Sequence, residues 1–65
     1  MIKDYLPARY LAEFEAMNFC DQVSAQQLFE YDSDDFMSWT EEDRAINAIR
    51  VVRTTKKRLE AITNA

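Results

Sequence analysis

From Thr40 to Ile62 the chain runs without a glycine or a proline, with its apolar side chains at helical spacing. A run of roughly 22 residues rising ~1.5 Å each is a rod near ~33 Å long, and every shorter segment must pack on it. Its start is marked. Thr40 can accept hydrogen bonds as an N-cap, and Glu41, Glu42 and Asp43 fill the first turn, where free N–H groups and the helix dipole favour negative charge. Thr40 and Asp43 have the spacing of a capping box, with Asp in place of the usual Glu or Gln.

Ala45, Ala48, Ile49, Val52, Leu59 and Ile62 then recur at intervals of three, four and seven, with Thr55 in the gap, a continuous face able to be buried against other helices and, with Ile46, expected to exceed what the short N-terminal helices cover. On the opposite side Arg50, Arg53 and Lys57 share a face. Lys56 borders it within reach of Glu60, and positive charge near the C-terminus complements the dipole. Ile46 lies among these cations and is the one sizeable aliphatic residue that the buried stripe does not claim.

What packs on the rod follows from the rest of the chain. Pro7 suits the first position of a helix, where its missing N–H is not needed. That helix is predicted to reach about Phe19, with Tyr10, Leu11, Phe14 and Met17 inward and Glu13 and Glu15 outward. Ile2, Tyr5 and Leu6 can lie on the core ahead of it. Phe19 to Val23 reads as a connection. Ser24 with Gln27 has capping-box spacing, and Val23 with Leu28 matches a hydrophobic staple, so a second helix is predicted over residues 25–31, burying Leu28 and one of Phe29 or Tyr31. Asp32 or Ser33 can cap a further short turn, or the segment forms an ordered loop. Trp39 can anchor across the start of the long helix, helped by the stem or the cation of Arg44, or stand exposed as a binding hot spot.

The expectation is an all-α, single-domain fold of three or four helices, with the long C-terminal one packed by shorter N-terminal ones and residues 63–65 fraying. Sixty-five residues allow one modest core. A chain without glycine must turn through ordinary right-handed geometry, which suits helix connections better than tight hairpins.

Function is bounded mostly by what is missing. There is no histidine, which removes the commonest general base and the usual zinc ligands, and one cysteine allows no internal disulfide. We therefore expect no enzyme, no cofactor and no metal. No apolar run approaches the ~20 residues needed to cross a bilayer, and the start has no signal-peptide pattern, so the expected location is cytoplasmic and away from membranes. Cys20, near Asp21, is expected to be a small buried hydrophobe.

Asp32, Asp34 and Asp35 resemble an acidic metal loop only superficially, because the calcium loop needs a central glycine; they read as a helix cap or an acidic surface. Charge is divided along the chain. Residues 43–60 hold six cations against two acids, and residues 1–40 hold two cations against eight acids. The leading reading is a non-catalytic protein-protein interaction module, a small regulator or adaptor acting through helix faces. Its candidate partner-binding residues are Ile46, Arg50, Arg53, Lys57 and Trp39. A homodimer is a second form of it, since Ala45, Val52 and Leu59 have heptad spacing. Two alternatives use charge: a nucleic-acid-associated regulator working through the basic face, and an acidic mimic of nucleic acid that occupies a basic partner. The net charge of −4 argues against the first as an autonomous binder.

Overall fold

The computed structural model describes residues 1–31 and 39–64. Asp32, Asp34, Asp35 and the short turn expected near them lie outside the described residues. Among those described, a 3-10 turn at Ile2–Tyr5 precedes three helices: α1 (Ala8–Ala16), α2 (Phe19–Tyr31) and α3 (Glu41–Asn64). The result is an all-α domain in which α3, at 24 residues, is the longest element and the others pack along it.

The start of α3 is as expected. The Asp43 N–H donates to Thr40 Oγ1 at 3.1 Å and the Arg44 N–H donates to the Thr40 carbonyl at 3.0 Å. At its other end the helix continues to Asn64.

Both ends of the α1–α2 connection differ from expectation. Pro7 stands one place earlier, as the N-cap of α1 with ψ of 157°, and its carbonyl accepts from the Leu11 N–H at 2.8 Å. The helix stops at Ala16 and not near Phe19, because Met17 turns extended at ψ of 152°. Asn18 then caps α2: its Oδ1 accepts from the Asp21 N–H at 2.9 Å and its carbonyl from the Gln22 N–H at 3.0 Å. The predicted connection at Phe19–Val23 is therefore the opening of α2. Ser24 sits inside the helix and turns its hydroxyl back on the Cys20 carbonyl at 3.0 Å. Two physical terms favour this choice. Asn is at least as good a cap as Ser, and an earlier start extends an already nucleated helix. The earlier start also sets Gln22 where its Nε2 donates to the Met17 carbonyl at 3.3 Å and to the Phe14 carbonyl at 3.0 Å, which also accepts from the Met17 N–H, so one side chain covers the end of α1.

The core comprises Ile2, Leu6, Phe14, Ala25, Phe29, Ala45, Ala48, Ile49 and Val52, with Tyr10, Leu11, Met17 and Leu28 packed around it. Ala25, Ala45 and Ala48 are fully buried, and side chains this small let helix backbones approach closely. Of the pair at the end of α2, Phe29 is the buried one and Tyr31 is exposed. Ile2 is fully buried, and its N–H donates to Gln26 Oε1 at 2.8 Å, tying the 3-10 turn to α2. Tyr5 covers the core edge by stacking on Phe29, with ring centroids 5.6 Å apart.

The apolar face of α3 is buried over its first half only, leaving the expected surplus. Ala45, Ala48, Ile49 and Val52 are inside, but Leu59 and Ile62 are 59% and 74% exposed. Length explains it: at ~1.5 Å per residue α3 is about 36 Å long and the 13 residues of α2 about 20 Å, so α3 outruns its cover. Every residue from Thr54 to Thr63 is exposed.

Candidate protein-binding surfaces

The five residues predicted to bind a partner do not form one face. Trp39, Ile46 and Arg50 line a shallow hollow of about 300 Å³ with Asp43 and Asn47. Trp39 is 42% exposed there and Ile46 is partly buried. Arg53 is directed elsewhere. Its Nη1 lies 3.5 Å from Glu13 Oε1, which draws Glu13, expected to face away, toward α3 and pins α1 to it. Lys57 borders a second hollow, of about 260 Å³, with Glu13, Met17 and Arg53. The shared sector of Arg50, Arg53 and Lys57 is thus parted, because α1 packs against one flank of α3 and leaves the other open.

Lys56 pairs with Asp21 of α2, Nζ to Oδ2 at 3.2 Å, and not with Glu60. Arg44 lays its guanidinium over Phe29, 4.6 Å from the ring centroid. Cys20 is exposed, since the first turn of α2 carries it outside the core. Among the described residues Arg50, Lys57 and Arg58 make no salt bridge.

A third concavity among the described residues is larger than these two hollows, at a place the sequence marks only by the apolar surplus of α3. A groove of about 500 Å³ runs between α2 and the projecting part of α3, with Leu28 and Tyr31 on one wall, Val51, Val52 and Leu59 on the other, and the Asp21–Lys56 pair beside it. Tyr31, at the mouth, is 80% exposed. The available signal was the disparity in length: the predicted second helix was far shorter than the apolar stripe it was asked to cover.

Among the described residues no group of three or more His, Cys, Asp or Glu side chains could hold a metal ion, and no helix is long and apolar enough to cross a membrane. Among the described residues one titration is displaced: the Glu41 carboxylate raises the Tyr5 phenol above its ordinary value. No protein-family model matches the sequence, and neither a curated protein nor a solved structure matches it.

Proposed function

We propose that this chain is a non-catalytic protein-interaction module, a small adaptor or regulator of the cytoplasm, that binds through the α2–α3 groove and the projecting half of α3. One observation carries the reading: Leu59, 59% exposed, stands with Val51 and Tyr31 around an open apolar groove, and Ile62, 74% exposed, follows it along the projecting half of α3. Each Leu or Ile fully covered by a partner contributes ~1.5–3 kcal/mol, so two such residues on a small domain are a substantial source of affinity. An open trough between two helices, with Leu28, Val51, Val52 and Leu59 along it and polar side chains such as Gln27 and Thr55 among them, suits the amphipathic face of another helix better than a small molecule. The absence of histidine agrees with a role that involves no proton transfer.

Contact with nucleic acid is the second reading. Arg50 and Arg58 flank Asn47 and Thr54 along an outer strip of α3, and cations without an internal acid are free to meet phosphates. Asp21 and Glu30 on neighbouring α2 weigh against it, by repelling the same phosphates.

The test compares the intact chain with Leu59→Asp as baits in the native host's extract, with bound proteins and nucleic acid both quantified. The reading expects proteins held by the intact chain, its own copies included, and depleted at least about tenfold by the substitution. Identical retention by both baits, or loss of nucleic acid alone, defeats it.

A further inference from the structure

We draw no further inference here: the strongest candidate, the apolar groove between α2 and the projecting half of α3, has its bordering charges Asp21 and Lys56 paired with each other, and nothing in the structure shows what covers it.

Discussion

Arg44 holds Phe29 twice: its Nη1 donates to the Phe29 carbonyl at 2.8 Å, and its guanidinium carbon lies 4.6 Å from the centroid of the same residue's ring. Phe29 is in the last turn of α2, where carbonyls lack intrahelical donors and a cation meets the negative end of the dipole. One side chain from the first turn of α3 therefore caps α2 and covers the edge of the core. A charge-assisted hydrogen bond and a partly screened cation–π contact together set the cost of Arg44→Ala at about 2 kcal/mol in chemical denaturation. Arg44→Lys should recover only part, since an ammonium cannot lie flat on the ring while donating sideways. A loss below about 0.5 kcal/mol for Arg44→Ala would show that the contact is idle.

The junction between α1 and α2 yields a paired prediction with opposite signs. Asn18 caps α2 through the Asp21 N–H, so Asn18→Ala should cost about 1 kcal/mol. Ser24 lies within the helix with its hydroxyl bonded to the Cys20 carbonyl, so Ser24→Ala should be neutral or slightly stabilising, because alanine is the better helix former. Thermal and urea unfolding of the two single variants measure both. The reverse order of effects would restore the helix start that Ser24, Gln27, Val23 and Leu28 suggest.

That junction shows what the sequence makes legible. Thr40 could be read because nothing nearby competes with it as a cap. Ser24 could not, because a capping pattern describes what a residue can do, and whether it is used depends on the rival cap at Asn18 and on the carbonyls of Phe14 and Met17 that Gln22 meets from within a longer α2. The same distinction separates Ile49 from Leu59. Periodicity places both on nearly one face, but cover depends on where α2 ends, and that is a property of another segment. The cations failed as one site for a related reason. Helical spacing put Arg50, Arg53 and Lys57 together, and the docking of α1, which recruits Arg53 to Glu13, drew them apart. The fold class and core residues of α3 up to Val52 were therefore accessible from local pattern, whereas the groove was not, since it exists only between two helices of unequal length.

Among the described residues Tyr5 supplies the pH dependence. The neighbouring Glu41 carboxylate, as an acceptor and by its charge, together with slight burial and nearby Asp4, opposes loss of the phenol proton, with Arg44 acting the other way. The phenol therefore titrates above its ordinary value of 10.0 in the folded chain. A group that holds its proton more tightly when folded contributes stability that is complete below the unfolded value and disappears as pH rises through the folded one. The stability that the Tyr5 hydroxyl contributes should accordingly persist through neutral pH and be lost only above about pH 10. The difference in phenolate absorbance between the intact chain and Tyr5→Phe isolates this group, because phenylalanine keeps the stack on Phe29 and removes only the hydroxyl. Its midpoint should lie above 10.0 and fall back toward it in Glu41→Gln, which removes the charge but leaves an acceptor. A midpoint at or below 10.0 in the intact chain would show that Glu41 does not hold the hydroxyl in solution.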